Sequence, residues 1–294
     1  MSETVSICPI CSHTKLERYL TAKDYTTTQE VFELKRCTNC GFVITSPRPD
    51  EATIGKYYES DKYISHTGGS TTLFDKAYLI ARKFALNKKF RLITEHQQAG
   101  AILDYGCGTG EFLRHMQTHG WNIAGVEPAA AARTKASNLT QYDIAPSINT
   151  ITGKYNVITL WHVLEHVHDL REKLTAIVSH LQTDGKLFIA VPNHESPDAE
   201  KYKEYWAAYD VPRHLWHFTK KDIKHLLESL GLKIVAIEPM KMDAYYVSML
   251  SEQYRNPNRN KIARTISATI SGIASNFKAA KTTNHSSLIY IAQR

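Results

Sequence analysis

No stretch of this 294-residue chain reaches the roughly 18 consecutive apolar residues that a membrane-spanning helix needs. Its opening residues, MSETVSICPI, lack a basic region leading into an apolar stretch and a small-residue cleavage site, so no secretory leader is expected and a cytoplasmic location is. Internal repeats and low-complexity tracts are absent too. One sign of charge is missing locally: from Gln253 to Arg294 there is no Asp or Glu, against Arg255, Arg259, Lys261, Arg264, Lys278, Lys281 and Arg294. Those seven cations equal the whole formal net charge of +7, so an acidic partner would meet the C-terminal end. At 43% hydrophobic and 22% charged residues, the chain can bury a core, as one large domain with an appendage or as two modest ones.

Cysteine is scarce and concentrated. Four of the five cysteines form two CxxC pairs, CPIC (Cys8, Cys11) and CTNC (Cys37, Cys40). Pairs at this spacing converge their sulfurs from tight turns, and two such knuckles make a tetrahedral S4 cage suited to Zn2+. Four protein ligands leave no open position, which points to a structural ion. A redox pair and two disulfides are the alternatives, the first disfavoured by the absence of a thioredoxin-like unit, the second by the expected location. Short strands in LERYLTAKD, VFELKRC and GFVITSPRP surround the knuckles, and Pro47 and Pro49 end a zinc-ribbon-like module at 1–48. Residues 49–71 read as a tyrosine-rich linker or lid closing on Gly68 and Gly69. A long helix is expected from about Thr72 to Gln98, because Leu73, Ala77, Ile80, Phe84 and Ala85 keep helical spacing.

From Gly100 onward, apolar runs alternate with helical patterns. Strands are expected in AILDYG, NIAGVEP, YDIA, YNVITLW, GKLFIAVPN, KIVAIEP and SLIYIAQ, giving an α/β class with a Rossmann-like, seven-stranded, mostly parallel sheet covered by helices on both faces over 72–294. One helix is expected to begin within LEHVHDLREKLTAIVSHL, directly after the fourth strand.

The first strand runs through Asp104 and Tyr105 into Gly106, Gly108 and Gly110, a loop where backbone must turn sharply and a ligand can approach closely. Glu127, followed by Pro128 at the end of the second strand, stands where an acidic residue meets ribose hydroxyls. A nicotinamide-binding unit shares that logic. The spacing GxGxG, the acid two residues before the first glycine, and NVITLWHVLEH and GKLFIAVPN at the fourth and fifth strands resemble the class I S-adenosylmethionine-dependent methyltransferases, and DVPRHLWHFT places the chain near their HVLEH-type group. The resemblance covers roughly Thr72 to Arg294. It implies S-adenosyl-L-methionine as cofactor, with Asp104, Tyr105, Gly106, Gly108 and Gly110 at its methionine part, Glu127 and Pro128 at its ribose, and Trp161 and His162 along its flank. APSINTITGKYN lacks the acid that often contacts adenine in this superfamily, which leaves that contact unassigned.

WHVLEHVHD (Trp161 to Asp169) follows the fourth strand. Helical spacing would set His162, Glu165 and His166 on one face, with His168 turned to solvent. His162 stands where the crevice opens, a candidate base or acceptor-positioning residue for a hydroxyl. Equally, Glu165 could serve only the helix N-terminus. In the small-RNA 2′-hydroxyl and ubiquinone-pathway methyltransferases, a similar ExxEH with a later histidine holds a divalent ion. Here His162, Glu165 and His166 would offer a second metal site, with His214 and His217 of RHLWH as the later histidines, and replacing a carboxylate by His162 favours a softer ion than Mg2+.

Tyr202, Tyr205, Trp206, Tyr209, Trp216 and Phe218 crowd the loop after the fifth strand, as acceptor walls or as packing. Ile262, Ile266, Ile270, Ile273 and Phe277 make an apolar stripe that would dock on the domain or a second subunit, or rest 260–281 on a membrane surface. The expected partner is a small-molecule or a glycan- or lipid-linked acceptor, O- or C-methylated. Nucleic acid is less favoured, because Lys15, Arg18, Lys35 and Arg36 are scattered, and a non-catalytic zinc-ribbon interaction protein is the remaining alternative.

Overall fold

A computed structural model describes residues 2–59 and 73–294, with the side chains of 73–81 outside the described set. Most of the expected linker or lid therefore lies outside the described residues. The elements are β1 (Ser2–Glu3), β2 (Leu16–Lys23), β3 (Val31–Cys37), β4 (Val43–Thr45), β5 (Arg48–Pro49), α1 (Leu73–His96), β6 (Ala101–Tyr105), α2 (Glu111–Thr118), β7 (Asn122–Val126), α3 (Ala130–Thr140) and β8 (Tyr155–Trp161). They continue as α4 (Leu170–Ser179), β9 (Leu181–Pro192), α5 (Pro197–Tyr202), β10 (Trp216–His217), α6 (Lys220–Glu228), β11 (Lys233–Pro239), α7 (Asp243–Arg255), α8 (Lys261–Thr282) and β12 (Ser287–Gln293).

The central sheet runs β11-β12-β9-β8-β6-β7, parallel from β9 to β7, with β12 and β11 added antiparallel. Alternate residues face opposite sides, as the period of two demands. Leu103, Ile158, Leu160, Leu187, Ile189 and Val191 meet α4 and α6 on one face, while Ile102, Val157, Phe188, Ala190, Ile289 and Ile291 meet α1, α2 and α3 on the other. α6 is closed by a capping box: Thr219 accepts from the Asp222 N–H and the Asp222 carboxylate accepts from the Thr219 N–H at 2.9 Å.

The sheet has six strands, not the seven expected. YDIA contributes only a single parallel bridge between Val126 and Ala145. Ala145 makes both its backbone bonds there, donating to Gly125 O and accepting from the Glu127 N–H at 2.9 Å each, and Pro146 follows with no N–H to extend the ladder.

A second correction concerns the helix after β8. Leu164–His166 is a single 3-10 turn, Val167 is extended, and α4 begins only after Asp169, which has φ 49°. Tertiary partners take the carbonyls a helix would use: Glu165 O accepts from the Leu215 N–H at 2.8 Å, and Val167 O from Trp216 Nε1 at 2.6 Å. His168 is consequently buried, its Nε2 3.2 Å from Pro49 O, instead of turned to solvent.

The N-terminal strands form a four-stranded antiparallel sheet in the order β10-β4-β3-β2, its edge completed by Trp216–His217 from far along the chain. Cys8, Ile10, Cys37, Phe42 and Ile44 join the same apolar cluster as α4 and α6. Arg171 of α4 donates to Pro9 O and Ile10 O at 3.2 Å each, tying the first knuckle to the larger sheet.

Candidate active site

At the carboxyl end of β6 the chain turns back on itself because the Gly106 and Cys107 N–H groups both donate to Val126 O, at 2.8 and 3.0 Å. Gly106, Gly108 and Gly110 have φ of 76°, 57° and 84°. Two of them are packing glycines: a Cβ on Gly106 would stand 2.5 Å from Val163 Cγ2, and one on Gly110 2.9 Å from the Ala136 backbone. At Gly108 nothing lies within 4 Å, so this position opens on the crevice. The Glu127 carboxylate reaches across from β7, accepting the Gly108 N–H and the Ala129 N–H at 2.9 Å each. An open glycine beside a fixed carboxylate suits a ribose edge. Pro128 is exposed, its carbonyl accepting from Arg133, and Tyr105 is buried beneath the loop.

Asp104 lies below the glycines, buried, its Oδ1 accepting from Thr159 Oγ1 at 2.5 Å. Burial pushes its carboxyl up to about 7, against the Thr159 bond and the Lys89 ammonium. Lys89 descends from α1 to stand 4.4 Å from the centre of the Trp161 indole, and burial brings its own pKa down to about 8. Trp161 meets Phe112 edge-on at 5.6 Å.

The imidazoles sort into two groups. His162, with φ 57°, bridges the cluster and α7: its Nε2 lies 3.1 Å from Asp243 Oδ2 and its Nδ1 3.3 Å from Glu165 Oε1. Burial alone would lower its pKa, but the two carboxylates outweigh that and hold it up at about 10. In this arrangement both ring nitrogens of His162 face carboxylates.

Behind it, Glu165, His166 and His214 each bring one donor atom to within 4.8 Å of the others. A backbone carbonyl faces the Nδ1 of each imidazole. His214 Nδ1 stands 2.8 Å from Ala208 O, and a carbonyl only accepts, so that Nδ1 carries the proton and its Nε2 the lone pair; His166 Nδ1 lies 3.0 Å from both Arg213 O and the Tyr58 hydroxyl, and donation to the carbonyl leaves its Nε2 with the lone pair. Burial and the neighbouring His214 bring His166 down to about 4, which keeps the ring neutral. Glu165 is 1% exposed, and its Oε2 has no hydrogen-bond partner among the described residues. Two imidazoles and a carboxylate whose Oε2 is unpaired among the described residues fit a divalent ion of intermediate softness. Of the expected candidates, Glu165 and His166 come together with His214, while His162 touches Glu165 from the side of Asp243.

His217 is elsewhere. It is buried on β10 with Nε2 2.9 Å from Thr45 Oγ1, and burial among His214 and His194 drives its pKa well down. Of the aromatic loop, Tyr202, Trp206, Tyr209, Trp216 and Phe218 are buried and pack the loop down; Tyr205 alone is partly open. Asp243 and Lys89 were not anticipated, since they come from α7 and α1 and carry no local signal toward the crevice.

The four knuckle sulfurs all lie within 4.8 Å of one another, with Cys8 to Cys40 and Cys11 to Cys37 at 3.5 Å, and none forms a disulfide. A tetrahedral zinc with Zn–S of about 2.3 Å needs sulfurs roughly 3.8 Å apart, so the set fits.

The sequence model of a family described as methyltransferase domain matches residues 78–237. Among curated proteins, the ubiquinone biosynthesis O-methyltransferase of Erwinia tasmaniensis is 30% identical over 105 residues, which are 32% of this chain and 43% of that protein. Its counterpart from Aeromonas salmonicida is 27% identical over 171 residues, 52% of this chain and 69% of that one. The chain thus spans less than half the length of the first of these relatives. Among solved structures, magnesium protoporphyrin IX methyltransferase from Synechocystis PCC 6803, with bound SAH, superposes with a TM-score of 0.54 at 13% identity, covering 83% of this chain and 100% of that one, a likeness of fold.

Proposed function

The chain belongs to the methyltransferase domain family and is a class I S-adenosylmethionine-dependent methyltransferase, and from that premise we propose that it methylates a hydroxyl oxygen of a small or lipid-linked acceptor held beside Glu165, His166 and His214. The observation that carries this reading is the Glu165 Oε2, unpaired among the described residues and buried beside two imidazoles whose Nδ1 atoms face backbone carbonyls. The O-methyltransferase names of the curated relatives support an oxygen acceptor.

S-adenosylmethionine supplies an electrophilic methyl group on a sulfonium, and an in-line displacement asks the enzyme chiefly for alignment and exclusion of water. Gly108 and Glu127 receive the ribose side, Asp104 and the glycine turn the methionine side, and Trp161 walls the flank. A divalent ion held by Glu165, His166 and His214 would lower the pKa of an acceptor hydroxyl. His162, clamped by Asp243, holds Glu165 Oε1 in position, a positioning residue and not the base. Cys8, Cys11, Cys37 and Cys40 hold a structural Zn2+, in a module taken as 1–48 with the cofactor-binding domain at 72–294.

Labelled S-adenosylmethionine incubated with the protein and fractionated extract should deposit methyl groups in the lipid-extractable or small-molecule fraction, and chelator should suppress the transfer. Label recovered in RNA would sink the acceptor reading. Calorimetry showing no binding of S-adenosylmethionine or S-adenosylhomocysteine would sink the enzyme itself.

A further inference from the structure

The apolar stripe of α8 is not docked on anything among the described residues. Ile262, Ile266, Ile270, Ile273 and Phe277 are each 53% to 71% exposed. At about 100° per residue they centre on a line about 160° round the helix from the buried face, where Ala268, Ser271, Gly272, Ser275 and Ala279 pack inward. Small residues on the inner face let α8 lie close on its neighbour: a Cβ on Gly272 would stand 2.6 Å from the Tyr245 ring of α7. The large side chains are therefore on the outside by construction, and the helix is fixed without them.

The surface extends beyond one helix. Asn276 donates to Lys241 O at 2.9 Å, which sets the turn carrying Met242 beside the Phe277 end of the stripe. Met242 is exposed, as are Tyr246 and Met249 on α7. An apolar surface of this extent is unusual without a partner.

The charge around it selects the partner. Between Gln253 and Arg294 there are seven cations and no carboxylate side chain. A second copy pairing through the same surface across a two-fold axis would bring two such cationic segments together, which like-charge repulsion opposes. An anionic lipid surface satisfies both halves of the pattern, with side chains entering the acyl boundary and Lys278 and Lys281 at the head groups. No helix among the described residues is long and apolar enough to cross a membrane, so α8 would lie in the interface plane.

We propose that the outer face of the α7–α8 hairpin is a docking surface for anionic bilayers. It stands apart from the methyl-transfer reading, since binding is measured without turnover. The hairpin begins at Asp243, the residue that holds His162, so a docked bilayer would lie near the mouth of the crevice.

The test is sedimentation of the full-length protein with vesicles of phosphatidylcholine, with and without phosphatidylglycerol. The expected result is binding that requires phosphatidylglycerol and falls about tenfold or more in the double variant Ile266→Ser, Ile270→Ser. Lys278→Glu with Lys281→Glu should weaken it about as much. These side chains make no buried contact, so unfolding temperature should be unchanged in all variants. Binding absent from both vesicle types, or indifferent to the isoleucine substitutions, overturns the proposal. So does a wild-type dimer that the Ile266→Ser, Ile270→Ser variant converts to monomer, which would make the stripe a subunit interface.

Discussion

Among the described residues two clusters of side chains could hold a metal ion, and they differ in closure. The cysteine cage offers four soft donors from two knuckles, with no position left over. The Glu165, His166 and His214 cluster offers three donors of mixed hardness and a carboxylate oxygen with no partner among the described residues. Four donors make an ion part of the fold; three leave it exposed to a ligand. Arg213 ties the open cluster to the N-terminal sheet: its carbonyl sits at His166 Nδ1 and its guanidinium reaches Asp24, at the end of the β2–β3 hairpin away from Cys37. The closed cluster braces the sheet that helps to hold the open one.

If that division of labour is right, Cys8→Ser should have the largest effect on stability and a secondary one on chemistry. Metal analysis should show the loss of one zinc per chain. The transition of the N-terminal sheet should be destabilised by more than about 5 kcal/mol, since ion binding there is folding free energy. A variant that keeps its zinc and its melting temperature would break the comparison.

Next in size is the joint. Arg213 is buried with Asp24 at 3.0 Å and Asp210 at 2.6 Å. Removing one member leaves uncompensated buried charge, so Arg213→Met should cost about 3–5 kcal/mol in denaturant unfolding. The pair also predicts acid sensitivity. Burial would raise the Asp24 carboxyl, but the Thr28 N–H and the guanidinium outweigh it and hold the pKa below 3.8. A depressed carboxyl contributes stability that is fully present above its unfolded value and is lost as pH falls through its folded one. Acid unfolding followed by circular dichroism should therefore flatten below that range in Asp24→Asn.

The two clusters also differ in how far the sequence revealed them. The cage was legible because each half is four residues long and a knuckle closes locally. The alternating runs likewise gave the sheet, except where Pro146 cut the ladder at Ala145. The open cluster was half legible. Glu165 and His166 are adjacent, but their grouping was read from helical spacing, and the chain makes a 3-10 turn because Leu215 and Trp216 take the carbonyls of Glu165 and Val167. That same pairing brings His214 beside them. Such an exchange depends on contacts some fifty residues apart, which no local periodicity encodes.

Glu165→Gln sharpens the open side of the comparison. The neutral amide keeps the shape but removes the charge, so kcat should fall about a hundredfold, roughly 2.7 kcal/mol of transition-state stabilisation. The S-adenosylmethionine Kd should move less than about threefold, because Glu165 touches none of the glycine cradle. Loss of cofactor affinity without loss of bound metal would place Glu165 with the cradle instead.

The smallest effect expected is at His162, and it separates two roles for one ring. As the base, its removal would abolish turnover while leaving metal affinity alone. Held between Asp243 and Glu165, it would instead act by keeping Glu165 Oε1 still and offsetting its charge. His162→Gln should then weaken binding of added Mn2+ and lower kcat together, each by about tenfold, as substitutions behind a metal ligand commonly do. Asp243→Asn should reproduce part of that loss from α7, although Asp243 lies a further residue away from the cluster. A base has no reason to respond to Asp243 through metal affinity, so a loss of kcat in His162→Gln with Mn2+ binding intact would return proton transfer to this imidazole.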